Sequence, residues 1–261
     1  MTLDILSNLI IQNWHIILLF FMVAILYSSV GFGGGSSYLA ILALTGIAFT
    51  QIRSTALLCN IIVVLGNVFY FQRKKLYYWK KVTPLVIFSV PLAFLGGYLK
   101  ISETFFFILL GITLLFASIT MWNSKRFVSK SNVSKKNGMI RNGGIGGLIG
   151  FISGLVGIGG GIFLAPILHL TQWDTPKKIA ATASIFILVN STSGLIGQYL
   201  NPNFSIDWNL TIILLISVFI GGILGNKLRG IYFSPIQLKK ATAFLIAIVA
   251  LRILLNHFFK Y

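Results

Sequence analysis

The chain has 261 residues, of which 56% are hydrophobic and only 10% charged, with a formal net charge of +17. Soluble domains carry roughly a quarter charged residues, so this composition excludes an ordinary soluble domain and points to the bilayer. The positive charge does not mark a nucleic-acid surface. Its residues cluster in connections between apolar runs, at Arg73–Lys81 and Lys125–Arg141, where anionic headgroups are the natural partner.

In chain order, apolar runs fall at 14–47, 53–72, 82–99, 104–122, 143–171, 178–200, 207–226 and 235–258. Each is long enough to cross a hydrocarbon core of about 30 Å. Lipid offers the backbone no hydrogen-bond partners, so helices are predicted, and the short alternating segments of a barrel are missing. No basic stretch with a cleavage site opens the sequence, and no removable signal peptide is expected. Cys59 is the single cysteine, which excludes an internal disulfide and a cysteine-rich metal centre.

The sequence repeats itself. Ser29-Val30-Gly31-Phe32-Gly33-Gly34-Gly35 returns as Leu155-Val156-Gly157-Ile158-Gly159-Gly160-Gly161. Each copy continues as an apolar half-segment ending near a threonine, Thr45 or Thr171. Ser54-Thr55-Ala56 then corresponds to Ala181-Thr182-Ala183, and Gly96-Gly97-Tyr98-Leu99 to Gly221-Gly222-Ile223-Leu224. Four landmarks in register imply a duplication, with residues 1–122 as the first unit, 123–142 as the joining loop and 143–261 as the second.

The first segment of each unit spans about 30 residues, or roughly 45 Å as a straight helix, too long for a simple crossing. Its glycines cost about 1 kcal/mol each relative to alanine in a helix interior. Either one tilted helix crosses, or two shorter helices fold back at the glycines. A single crossing with a cytoplasmic N-terminus places 13 Lys and Arg inside and 8 outside. A hairpin with an external N-terminus places 17 inside and 4 outside, the four being Arg53, Lys100, Arg252 and Lys260. The positive-inside bias favours the hairpin. The expected fold is therefore an all-α integral membrane protein of two inverted-topology repeats, each a glycine-broken helical hairpin plus three transmembrane helices. Loop 123–142 is then cytoplasmic and both termini are external. The Asn132-Val133-Ser134 sequon would face the cytoplasm and carry no meaning.

The apolar segments hold no charge at mid-depth. Asp4, Glu103, Asp174 and Asp207 lie in the N-terminal stretch or the connections, and His15, His169 and His257 lie near segment ends. No metal site, catalytic triad or carboxylate relay is expected, and no cofactor. What remains is a pair of glycine breaks. A broken helix exposes backbone N–H groups and the positive end of a following half-helix, which together can bind an anion. The candidate substrate-binding residues are Gly33, Gly34, Gly35 and Ser36 in the first break and Gly159, Gly160 and Gly161 in the second. Thr55, Thr182, Ser184 and Asn190 are added as donors. The competing reading is close packing, since glycine lets membrane helices approach; for Gly143, Gly146, Gly147, Gly150 and Gly154 packing is the preferred reading. Arg53 and the pair Lys177-Lys178 open the second segment of their units. They either snorkel to headgroups, the simpler reading, or draw anions to the two mouths.

At these residues the sequence resembles the sulfite exporter TauE/SafE family. The likeness rests on the paired Gly-x-Gly-Gly-Gly segments, on Pro166 after the second, on the Ala-Thr-Ala start of the next segment and on the length. It spans nearly the whole chain, although the first unit has Ala40 where the second has Pro166. The resemblance implies a multi-pass protein of the cytoplasmic membrane, not an enzyme, that exports small sulfur-containing or organic anions such as sulfite, thiosulfate or sulfonates. Its partners would be that anion and the bilayer, with a homo-oligomer as an open option. An anion channel and a non-transporting scaffold subunit are the alternatives. Substrate identity, coupling ion and direction of transport are not fixed by the sequence.

Overall fold

The computed structural model describes residues 3–122, 139–229 and 235–258, so the sequon and most of the joining loop lie outside it. Every regular element among the described residues is a helix: α1 (Leu3–Val30), α2 (Gly35–Leu42), α3 (Phe49–Arg73), α4 (Trp79–Tyr98), α5 (Glu103–Trp122), α6 (Met139–Val156), α7 (Gly161–Leu170), α8 (Pro176–Tyr199), α9 (Trp208–Lys227) and α10 (Pro235–Phe258). Six of them contain stretches long and apolar enough to cross a membrane, in α1, α3, α4, α5, α8 and α9. Local chemistry marks several ends. Pro176 opens α8, where its missing N–H has no helical partner to lose. The Asp207 carboxylate caps α9 by accepting the N–H groups of Asn209 and Leu210. Large apolar side chains such as Phe69, Ile112, Ile119 and Phe219 stand exposed, as a lipid-facing surface requires.

Both long first segments are broken at the glycines. α1 ends with Gly31 at φ 91° and the Phe32 N–H bonded to the Tyr27 carbonyl at 2.9 Å. α6 ends in the same way, with Gly157 at φ 87° and the Ile158 N–H on the Ser153 carbonyl at 3.2 Å. A left-handed residue just past the last turn closes a helix by this backward bond and turns the chain out of line. The chain then reverses. Phe20 stacks on Tyr38 with ring centroids 4.6 Å apart, and the Tyr27 and Ser37 hydroxyls bond at 2.9 Å. On a straight helix Phe20 and Tyr38 would be about 27 Å apart. α2 and α7 are half-helices of 8 and 10 residues, and the predicted threonines finish them: Thr45 Oγ1 donates to the Leu42 carbonyl and Thr171 Oγ1 to that of Ile167.

The helices pack in a pattern that survives exchange of the first five for the second five. α4 pairs with α6 as α9 pairs with α1; α4 lies on α8 as α9 lies on α3; α3 meets α8 and α5 meets α10. Small residues make the closest seams. Gly146, Gly150 and Gly154 lie against the backbone of Leu85, Ser89 and Ala93, one turn apart on each helix, and a Cβ at Gly150 would fall 2.5 Å from the Ser89 carbonyl. In the matching seam Gly221 and Gly225 lie against Phe21 and Ile25. Packing is thus what these α6 glycines supply.

The connections gather at two ends. At one, Lys81 Nζ donates to the Trp173 carbonyl at 2.9 Å and meets Asp174 at 3.1 Å, joining the α3–α4 and α7–α8 connections. At the other, Ser54 Oγ donates to the Ser205 carbonyl at 2.8 Å and Asn201 Nδ2 to the Tyr98 carbonyl at 2.7 Å. These contacts join the start of α3 to the α4–α5 and α8–α9 connections.

Candidate functional site

The two glycine breaks meet at Asn60, in the middle of α3. Its Oδ1 accepts the Gly35 N–H at 3.2 Å, at the first residue of α2. Its Nδ2 donates to the Ile158 carbonyl in the second break at 3.2 Å and to Ser191 Oγ on α8 at 3.0 Å. One buried amide therefore ties α2, the α6–α7 break and α8 together. Its surroundings are as close as glycine allows: a Cβ at Gly35 would lie 2.5 Å from the Ile158 carbonyl, and Cβ atoms at Gly33 and Gly159 would run into Asn60 itself. Gly34 and Gly160 cap α2 and α7 at φ 114° and 81°, a conformation other residues adopt only with strain.

The predicted residues divide in two. Gly33, Gly35 and Gly159 converge on Asn60, and Gly34, Ser36, Gly160 and Gly161 are buried beside them. The hydroxyl and amide donors go elsewhere. Thr55 is bonded to Thr211 on α9 at 2.9 Å. Ser184 Oγ donates to the Ala181 carbonyl at 2.7 Å and meets the Tyr77 hydroxyl at 3.1 Å, toward a membrane end. Asn190 Nδ2 folds back on the Phe186 carbonyl of its own helix at 2.8 Å, leaving its Oδ1 buried without a partner. Thr182 is buried in α8.

The halves differ at the centre. Counting from the matched Ser54-Thr55-Ala56 and Ala181-Thr182-Ala183, the counterpart of Asn60 is Ile187. The contacts agree, since Gly35 faces Asn60 and Gly161 faces Ile187. The amide of the crosslink comes from the first half only.

Sequence reasoning did not single out Asn60, Ser191, Asn67 or Arg229. The available signal was an amide inside an apolar helix, present at Asn60 and again seven residues on at Asn67. Arg53, Asn60 and Asn67 stand two turns apart on one face of α3. At the Asn67 end, Arg229 donates to the Ser28 carbonyl at 2.7 Å and to Asn226 at 2.6 Å, contacts the Asn67 amide oxygen, and lies over the Tyr70 and Phe71 rings. Burial lowers its pKa to about 10, opposed by the neighbouring tyrosines Tyr70 and Tyr77, and it remains a cation. At the other end Arg53 does not snorkel. It is only 4% exposed and donates to the Gly154 carbonyl at 3.2 Å. Lys178 is held 3.6 Å from Asp174. Burial pushes the Asp174 carboxyl upward, but the Thr175 N–H, Lys81 and Lys178 outweigh it and hold the carboxyl below its usual range. Among the described residues no three metal-ligating side chains cluster.

A helical bundle with several candidate spans and two half-helices meeting at its middle defines a multi-pass membrane protein. The chain belongs to the sulfite exporter TauE/SafE family, whose family model matches residues 16–253. A probable membrane transporter protein of Sinorhizobium fredii is 32% identical over 241 residues, covering 90% of this chain and 95% of that protein. One from Methanocaldococcus jannaschii is 29% identical over 200 residues, 72% of each chain. Another, MamO of Paramagnetospirillum magneticum, is 22% identical over 85% of this chain and 41% of its own length. No solved structure matches the chain. The relatives' names agree on membrane transport and name no substrate.

Proposed function

We propose that this protein exports small sulfur-containing or organic anions, of the sulfite, thiosulfate or sulfonate kind, across the cytoplasmic membrane. The mechanism is alternating access between two inverted halves. The observation that carries this reading is the meeting of both helix breaks at one buried amide, midway along α3. Half-helix N-termini aimed at a common point supply backbone donors and positive dipole ends for an anion without placing a full charge at mid-depth.

The two ends of the bundle support the inverted arrangement. The α1–α2 hairpin returns, through residues 43–48, to the end that holds Ser54, Tyr98 and Ser205. The α6–α7 hairpin returns to the opposite end, where Trp173 and Asp174 meet Lys81. With the basic connections inside, residues 74–78 and 171–175 face the cytoplasm and residues 43–48, 99–102 and 200–207 face outward, as do both termini. Burial of both breaks fits a carrier closed at its centre rather than an open channel.

Export needs no titrating carboxylate. An anion leaving a cell that is negative inside moves downhill by about 2.3 kcal/mol per charge per 100 mV. The test is flux of sulfite, thiosulfate and methanesulfonate in proteoliposomes under an imposed potential. Saturable, potential-dependent flux of one of them is expected; linear, non-saturating flux would favour the channel, and none at all the scaffold.

A further inference from the structure

Arg53 is a buried cation without a carboxylate. Both ion pairs among the described residues use Asp174, and Arg53 has one protein acceptor, the Gly154 carbonyl, while its Nε is buried with none. Gln198 on α8, also 4% exposed, has a buried Nε2 without an acceptor. These two side chains line the same pocket, together with Thr50, Lys100, Asn201 and Phe204. Among the described residues no acidic side chain lines it. Asn201 is already engaged, donating to the Tyr98 carbonyl and accepting the Asn203 N–H. The pocket thus holds a surplus of donors and positive charge, and an uncompensated buried charge is costly unless something pairs with it. Arg229 differs in degree: its Nε is likewise buried without a partner, but three oxygen acceptors and two aromatic faces surround its guanidinium, against one carbonyl for Arg53.

We infer that this pocket is a second binding site, which takes the oxyanion group of a sulfonate, sulfite or phosphate. Arg53 and Gln198 donate to its oxygens at depth, Lys100 holds the charge at the rim, and the Phe204 ring accommodates a short apolar substituent. A guanidinium suits a two-oxygen group because its N–H donors form a fixed fork. The site lies seven residues from Asn60 along α3, or about 10 Å, so it is separate from the Asn60 crosslink, while Gly157, where α6 breaks, lies against the Arg53 backbone. Its assignment to the outward mouth rests on the orientation proposed above. In that orientation only four basic residues lie outside, and Arg53 and Lys100 are two of them. The same oxyanion chemistry is offered by a soluble anion and by a lipid phosphodiester.

The test measures binding rather than flux. Full-length protein in non-ionic detergent is titrated calorimetrically with methanesulfonate, sulfite and inorganic phosphate, and retained phosphatidylglycerol is counted by native mass spectrometry. At least one soluble anion is expected to bind per chain, and the affinity of one site should fall about tenfold or more in Gln198→Leu, further in Arg53→Gln, and less in Arg53→Lys. Phosphatidylglycerol retained by the wild type and lost from Gln198→Leu and Arg53→Gln would keep the site and make lipid its occupant. Unchanged anion and lipid binding in Gln198→Leu and Arg53→Lys, in protein that still melts cooperatively, would overturn it. Binding that depends on Arg53 with no flux of any anion would keep this site and remove the transport reading. Intact flux with binding indifferent to these variants would do the reverse.

Discussion

Asn60 donates to the carbonyl of Ile158 at 3.2 Å across 98 residues of chain. The bond joins the middle of α3 to the break in the other half, and the same amide accepts from Gly35. Asn60→Ala should leave a buried N–H at Gly35 and a buried carbonyl at Ile158 without partners, at about 1–3 kcal/mol for each group left unsatisfied. We expect a lower thermal midpoint in detergent and a fall in flux larger than the loss of folded protein. Ile187→Ala, at the matching place in the other half, should cost stability through lost packing and leave the crosslink standing. Equal flux per folded molecule in wild type and Asn60→Ala would separate Asn60 from transport.

Gly34 and Gly160 stand at φ 114° and 81°. Alanine there should cost about 1–2 kcal/mol in backbone strain at each position. Gly160→Ala should be the worse of the two, because its Cβ would lie 2.8 Å from the Phe186 ring. Gly144→Ala, inside α6 where a Cβ meets nothing within 4 Å, is the control expected to stabilise by up to about 1 kcal/mol. Thermal unfolding of the three purified variants checks the order.

Asp174 ties two connections of one membrane end through Lys81 and Lys178. Its carboxyl is held below the usual range. A depressed folded-state pKa gives stability that is present above the unfolded value of about 4 and lost as pH falls through the folded value. Wild type should therefore lose stability relative to Asp174→Asn as pH drops below about 4, and the two curves should run parallel near neutrality. Curves parallel over the whole acid range would show that the contact contributes nothing.

In the proposed orientation, cysteines at Lys75 and Gln172 report from the cytoplasmic face and those at Ile101 and Asn203 from the outside. The native thiol of Cys59 is buried and can be replaced by alanine for this experiment. A membrane-impermeant maleimide applied to intact cells should label the second pair only. Labelling of Lys75→Cys from outside would reverse the orientation, and labelling of one member of each pair would break the inverted arrangement.

The helices and the glycine breaks were legible in the sequence because apolar length and glycine content act locally. The closing threonines, Thr45 and Thr171, were legible for the same reason, since each bonds a carbonyl within its own turn. Asn60 was not, because an amide in an apolar run says that a partner exists without saying which. Its partners lie 25, 98 and 131 residues away. Snorkelling is the simpler of the two expectations for Arg53, because its place at a segment end does not reveal which way the side chain points; in the structure it turns inward to the Gly154 carbonyl. Ser184 and Thr55 were grouped with the breaks by sequence proximity, whereas their helices carry them to Tyr77 and Thr211.

The central claim is that the two breaks act together as one anion path. The measurement that tests it most directly is potential-driven flux of sulfite and methanesulfonate in proteoliposomes, comparing wild type with the Gly34→Ala/Gly160→Ala double variant at equal folded protein. The account predicts saturable flux in the wild type, faster when the potential drives anions outward, and at least about a tenfold loss in the double variant. Full, saturable flux in that variant would contradict it.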